Sequence, residues 1–160
     1  MPVRPATKAD LPTIAGMGSS FFGHTRYARF VQADEAQILY TLERILEHGA
    51  IFVAEIDGRV VGFIACVMHG AWFDPSFRIA IETSWWMHPD ARGRPEGVRL
   101  LFAFERWAKE QGANAICMSD IRLDEESPAG DILERLGYQV SERTFIKELT
   151  NARHDHQEAP

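Results

Sequence analysis

Two short stretches of this chain carry residue types that could do chemistry. The first is Arg92-Gly93-Arg94-Pro95-Glu96-Gly97, between an apolar, strand-like run (Ile79 to Met87) and an amphipathic helical pattern (Val98 to Gln111). A strand, a Gly- and Arg-rich turn and a helix start together make an anion site. Amides at the turn and the helix N-terminus point outward unpaired, the helix dipole adds partial positive charge, and arginines fork onto phosphate oxygens. An ordinary βα turn uses the same residue types. The second stretch surrounds Glu82, inside the apolar run between Ile81 and Thr83. A carboxylate there is either a working group or an edge-strand glutamate that faces solvent or pairs with Arg78. Strand alternation puts Glu82, Ser84 and Trp86 on one face.

The rest of the chain supplies the elements that must position these residues. Met1 to Ala6 is a short strand candidate. Thr7 reads as a helix N-cap with Asp10 in a capping-box position. The first helix carries Leu11, Ile14, Ala15, Met17 and Gly18 on one side, and Pro12 is tolerated in its first turn. Phe21 to Arg29 reads as a linker. A second helix begins near Asp34, carries Ile38, Leu39, Leu42, Ile45 and Leu46, and stops at Gly49. Asp57-Gly58 between the apolar runs Ile51 to Ile56 and Arg59 to Met68 predicts a hairpin. His69 to Phe77 reads as a loop and Arg78 to Met87 as a third antiparallel strand. Leu100, Leu101, Phe104, Trp107 and Ala108 form the stripe of the strongest helix, which Gly112 ends. Ala115 to Met118 is a strand, Ser127 to Leu136 a shorter helix, and Tyr138 to Val140 and Arg143 to Leu149 are closing strands. This order describes an α/β (α+β) domain over residues 1–150, with a mixed, mostly antiparallel sheet flanked by helices on both faces. Residues 151–160 read as a disordered tail.

Bulk numbers narrow the class. One hundred and sixty residues suit a single core, and 46% hydrophobic with 25% charged residues describe a soluble globular chain. A net charge of -6 leaves no basic footprint for nucleic acid. No apolar segment approaches the ~18 residues of a membrane helix, and Arg4, Lys8 and Asp10 interrupt any signal peptide. The expectation is a cytoplasmic protein without membrane or nucleic-acid partners. Cys66 and Cys117, both in apolar runs, read as buried reduced thiols. His154 and His156 are the one pair near metal-ligand spacing, and a polar tail accounts for them, so no metal site is expected.

Four segments in this order resemble the GNAT (GCN5-related) N-acetyltransferases: VRPATKADLPTI, IFVAEIDGRVVGFIACV, ETSWWMHPDARGRPEGVRLLFAFERWAKEQGA and DILERLGYQ. The loop GAWFDPSF also resembles that of compact members found in tailed bacteriophages. The resemblance implies an acetyl-CoA-dependent N-acetyltransferase acting on a primary amine of a small molecule or peptide. In the family a Gln/Arg-x-x-Gly-x-Gly/Ala loop holds the pyrophosphate of acetyl-CoA. Arg92 matches its first position and Gly97 its last, while Pro95 replaces the middle glycine and has no N–H. Arg92, Gly93, Arg94, Glu96, Gly97 and Val98 are thus the implied phosphate cradle. Trp85, Trp86 and Met87 line the acyl-CoA arm, with the amide of Trp86 or Met87 serving the thioester carbonyl.

Acyl transfer to an amine needs a base to take a proton and a donor for the carbonyl oxygen. Glu82 is the implied base. The family's general-acid tyrosine position holds Leu133, and the asparagine seven residues earlier is Glu126. Ser119 or water then protonates the leaving thiolate, or it leaves unassisted. Tyr138 reads as a core aromatic. Trp72, Phe73, Trp85 and Trp86 either line an acceptor pocket or pack on the sheet. Asp120, Asp124, Glu125 and Glu126 form an acidic loop that either attracts a cationic acceptor or is simply solvated. Two other readings stand beside the enzyme: a non-catalytic acyl-CoA-binding or regulatory module of the same fold, and an interaction protein whose exposed aromatics support a homodimer.

Overall fold

The computed structural model describes residues 2–121, 128–147 and 149. The chain divides into two units, one of Met1–Phe21 with Asp34–Ser119, the other of Phe22–Ala33 with Asp120–Pro160. The first unit holds a five-stranded sheet in the order β1-β2-β3-β4-β5. Its strands are β1 (Val3–Pro5), β2 (Ala50–Ile56), β3 (Arg59–Ala71), β4 (Asp74–Met87) and β5 (Ala115–Cys117). β1 to β4 pair antiparallel, and β5 runs parallel to β4. The helices are α1 (Leu11–Phe22), α2 (Glu35–His48), α3 (Glu96–Glu110) and, in the second unit, α4 (Pro128–Arg135). The architecture is the expected mixed, mostly antiparallel sheet flanked by helices on both faces. No helix among the described residues is long and apolar enough to cross a membrane.

Local chemistry sets most boundaries. Asp57 and Gly58 both take positive φ (51° and 77°), the tight turn that closes the β2–β3 hairpin. The Asp34 carboxylate accepts from the Gln37 amide at 3.1 Å and caps α2. Asp10 accepts from the Thr7 amide and hydroxyl and is forked by the Arg4 guanidinium at 2.8 and 2.9 Å, tying β1 to the start of α1. These contacts, Arg4 first, hold the Asp10 carboxyl well below the usual carboxylate range. α3 begins two residues earlier than its apolar stripe implies, because Pro95 already has helical angles (φ −64°, ψ −16°) and leads Glu96 and Gly97 into the first turn.

The two faces of the sheet bury different partners. Ile51, Val53, Phe63, Ala65 and Trp86 pack with Leu11, Ile14, Ala15, Met17 and Leu42 from α1 and α2. Alternation sends Phe52, Ala54 and Ile64 the other way, where α3 packs chiefly on β2 and β3. Leu100, Leu101, Phe104 and Ala108 are fully buried, and each large side chain among them contributes about 1.5–3 kcal/mol of burial.

Several expectations are corrected. His69 to Phe77 is no loop: the β3–β4 hairpin continues to a two-residue turn at Trp72-Phe73. Gly70 permits this, since a Cβ there would meet Pro75 O at 2.9 Å, and Asp74 ties down Ser76. Part of the Phe21 to Arg29 linker is structured, as the end of α1 and a 3-10 turn at Arg26–Arg29. Tyr138 to Val140 and the described part of Arg143 to Leu149 form no strand. Val140, Phe145 and Leu149 stand 83–85% exposed. The apolar alternation is present, but a strand exists through a ladder rather than a pattern, and no ladder among the described residues includes this segment. Cys117 is exposed while Cys66 is buried, because β5 is the end strand, three residues long and paired with β4 alone. The start of the fourth helix at Ser127, the residues Asp124, Glu125 and Glu126, and the tail lie outside the described residues.

Phe104 is 0% exposed and its neighbour Phe102 47% exposed. Phe104→Ala is expected to cost about 3–5 kcal/mol in urea unfolding, and Phe102→Ala within about 0.5 kcal/mol; equal losses would contradict the assigned face of α3.

Candidate functional site

The site is built on one edge of β4. β5 pairs with β4 only through Ile79, Ala80 and Ile81. Among the described residues, no strand pairs with that edge of β4 from Glu82 to Met87. Glu82 lies at the apex of the divergence. Its Oε2 accepts from the Ser119 amide at 3.2 Å, just past the end of β5.

A β-bulge sets which way these side chains face. Ala65 is opposite Ser84, yet Cys66 is opposite Glu82, so Thr83 is the extra residue on β4. The Thr83 hydroxyl donates to Ala65 O at 3.0 Å and the Ser84 hydroxyl to Thr83 O at 2.7 Å, pinning the bulge. The inserted residue reverses the alternation. Ser84 and Trp86 share the face of Ala65 and Phe63, toward α1 and α2, whereas Glu82 shares the face of Trp85, Cys66 and Ile64. The expected common face of Glu82, Ser84 and Trp86 is therefore wrong. Three consecutive polar residues, Glu82-Thr83-Ser84, were the sequence signal that alternation breaks there.

Glu82 is 7% exposed and is neither solvent-facing nor paired with Arg78, whose guanidinium donates to Gln111 O at 2.5 Å. Burial pushes its carboxyl up to about 7, partly opposed by the Ser119 amide. Across the ladder, burial and then the nearby Glu82 charge push the Cys66 thiol up to about 12, so it is inert; it donates to Ala50 O at 3.3 Å. Ser119 touches Glu82 through its backbone, and the residue itself is exposed.

At the other end of the free edge lies the turn into α3. Gly93 has φ +77°, the left-handed region that favours glycine. Arg99 N–H donates to Pro95 O at 3.0 Å, so the amides of Glu96, Gly97 and Val98 precede the first helical hydrogen bond and have no intrahelical partner. Glu96 is 9% exposed, and its carboxylate is engaged by Arg99 at 3.0 Å. Gly97 comes within 3.5 Å of Met87 Cγ when given a Cβ, an ordinary contact that brings the helix start against the end of β4. Gly62 has no room for a Cβ, which would lie 2.2 Å from Met87 Sδ.

The two loop arginines part company. The Arg92 guanidinium sits 4.4 Å from the centroid of Trp86 and donates to Met87 O at 3.3 Å, while Trp86 meets Phe21 edge-on at 5.8 Å. Arg94 instead lines a cleft of about 280 Å³ with Asp57, Arg59, Val61 and Asp90. There Asp90 is held below the usual carboxylate range, first by Arg59 at 2.7 Å and then by His88. Trp72 and Phe73 do not join Trp85 and Trp86. They cap the far end of the hairpin, and Asp74 alone is about 26 Å along the strand from Glu82. Sequence proximity along an extended strand is not spatial proximity. In the position expected for an acidic tyrosine, Leu133 is a buried residue of α4.

The profile of the acetyltransferase (GNAT) family matches residues 19–138, three quarters of the chain. The chain belongs to that family. No curated protein sequence matches it. Its fold is similar to an aminoglycoside N-acetyltransferase solved with CoA, at 20% identity and TM-score 0.72 over 92% of this chain and 93% of that one. It is also similar to a predicted acetyltransferase from Clostridium acetobutylicum solved with acetyl-CoA (15%, TM-score 0.69, 96% and 98% covered). A transcriptional regulator from Bacillus halodurans C-125 shares the fold at 20% identity and TM-score 0.69, with 92% and 98% covered. The β4–β5 divergence, the bulge and the α3 turn thus lie on a GNAT scaffold.

The raised Glu82 carboxyl has a signed consequence. Between pH about 4.5 and 7 the folded chain holds a proton that the unfolded chain has lost, so this group's contribution to stability falls as pH rises through that window. Glu82→Gln keeps an oxygen for the Ser119 amide and removes the charge. Its stability relative to wild type is expected to improve from pH 5 to pH 8 by up to about 3 kcal/mol in denaturant titrations. A pH-independent difference would mean that Glu82 ionises normally in the fold.

Proposed function

We propose that this chain is an acetyl-CoA-dependent N-acetyltransferase that moves the acetyl group directly to a primary amine. The observation that carries the reading is a buried carboxylate at the apex of a strand divergence whose other end meets the unpaired amides of a helix start. Those residues fit acetyl-CoA. The free edge of β4 offers hydrogen bonds to the amide-bearing arm, and the amides of Glu96, Gly97 and Val98 offer them to the pyrophosphate. Pro95 contributes no amide, and Arg92 and Arg94 supply the charge near the turn.

A protonated amine has no lone pair to attack with. Glu82, directly or through water, takes one proton from it and becomes the neutral acid. The freed nitrogen bonds to the thioester carbonyl carbon while an amide of β4 at Trp86 or Met87 stabilises the charge gathering on the carbonyl oxygen. The C–S bond then breaks, the attacking nitrogen gives up its second proton to water, and the CoA thiolate takes a proton from water or from the Ser119 hydroxyl. A carboxyl poised at about 7 suits this work, since it is substantially ionised at neutral pH and still basic. The buried Leu133 and the proline in the turn favour one alternative, an acyl-CoA-binding module of the same fold without turnover.

Calorimetry with acetyl-CoA and thiol release over a panel of polyamines, aminoglycosides, amino acids and peptides test the reading. Acetyl-CoA is expected to bind, and at least one amine to release CoA, with kcat/KM rising with pH through about 7. Glu82→Gln should lower kcat by about 10²–10⁴-fold with acetyl-CoA affinity unchanged. Binding without turnover of any amine would favour the module, and absence of binding would remove both.

A further inference from the structure

Trp85 carries a buried donor that the fold itself does not use. Among the described residues its indole Nε1 has no hydrogen-bond partner, and it has no solvent contact. A buried orphan N–H costs about 1–3 kcal/mol, and such groups are rare in native structures. Its neighbourhood is the free edge of β4. β5 last pairs at Ile81, so Trp85 is four residues beyond the point where the strands part. The Thr83 bulge turns it to the same face as Glu82. α3 packs chiefly on β2 and β3 and less on β4.

We propose that the Trp85 indole N–H is a hydrogen-bond donor to a carbonyl oxygen of the acyl-CoA substrate, so that the side chain, and not only the backbone of β4, selects and orients it. The chemistry separates the two substrates. Indole N–H donates and cannot accept. The reacting nitrogen offers it no oxygen, and any oxygen elsewhere on an acceptor differs from one amine to the next, whereas every acyl-CoA presents amide carbonyls and the thioester carbonyl. The orphan therefore belongs to the acyl donor's side of the site. This inference rests on the acetyl-CoA reading above.

Trp85→Phe keeps an aromatic ring and deletes the N–H. In the free protein it is expected to leave Tm unchanged or raise it, because an unsatisfied donor has been removed. Its affinity for acetyl-CoA in calorimetry should fall about 5–10-fold, and the thermal shift on adding acetyl-CoA should shrink with it. The same loss with free CoA would place the oxygen on the arm, and a loss confined to acetyl-CoA would place it on the acetyl group. Either supports the proposal. Equal acetyl-CoA affinity in both proteins overturns it. So does a lowered Tm of the free variant with the ligand-induced shift intact, which would mean that the donor was already satisfied within the fold. If wild type binds no acetyl-CoA, the functional reading itself fails, and the proposal with it. Should Trp85→Phe not fold, the sequentially assigned indole resonance of wild-type Trp85 decides. A downfield proton shift on adding acetyl-CoA is expected, and an unmoved resonance in the saturated complex refutes the contact.

Discussion

Everything at this site depends on β4 losing its partner on one edge. A strand can leave backbone groups unpaired only where solvent or a ligand will satisfy them. β5 ends after three paired residues, and among the described residues no strand pairs with the next six of β4 on that side. The helix that joins the two strands, α3, starts beside the end of β4, where Gly97 lies against Met87. One departure in strand pairing thus produces both an extended hydrogen-bonding edge and an anion site at its end.

The bulge at Thr83 decides how that edge is equipped. With unbroken alternation, Glu82 would share the face of Ser84 and Trp86. The extra residue instead turns Glu82 and Trp85 to the opposite face and leaves Trp86 between Phe21 and Arg92. Burying a carboxylate there is unfavourable, and a single amide from Ser119 offsets it only in part. The fold tolerates this strain in ionisation because the rest of the sheet is conventionally packed. Phe63, Ile64, Phe104, Leu100 and Leu101 are all essentially inaccessible to solvent.

Much of the scaffold was legible in the sequence. The Asp57-Gly58 hairpin, the caps at Thr7 and Asp34 and the stripe of α3 follow from local rules whose physics lies within a few residues. The phosphate-like turn and Glu82 stood out for the same reason, as charges or glycines out of keeping with their neighbours. What failed was whatever depended on distant partners. The strand patterns after Tyr138 form no ladder among the described residues, and Cys117 read as core but lies exposed in β5. The Trp72-Phe73 pair, read as either lining an acceptor pocket or packing on the sheet, caps a hairpin that runs well past the site, because nothing local says how long a hairpin stays paired.

The sequence by itself determined the helices, the Asp57-Gly58 hairpin and their caps, and that a carboxylate and a Gly-Arg turn interrupt an otherwise apolar strand and helix. Periodicity, capping and turn chemistry are encoded over short windows, so the chain alone suffices for them. Only the tertiary structure decided that Glu82 is buried beside the Ser119 amide, that Thr83 is an inserted residue, that Arg92 and Arg94 diverge, and that Trp85 holds an unused donor. Register and burial arise from contacts between residues far apart in the chain, and a one-residue slip in register exchanges the faces of everything that follows.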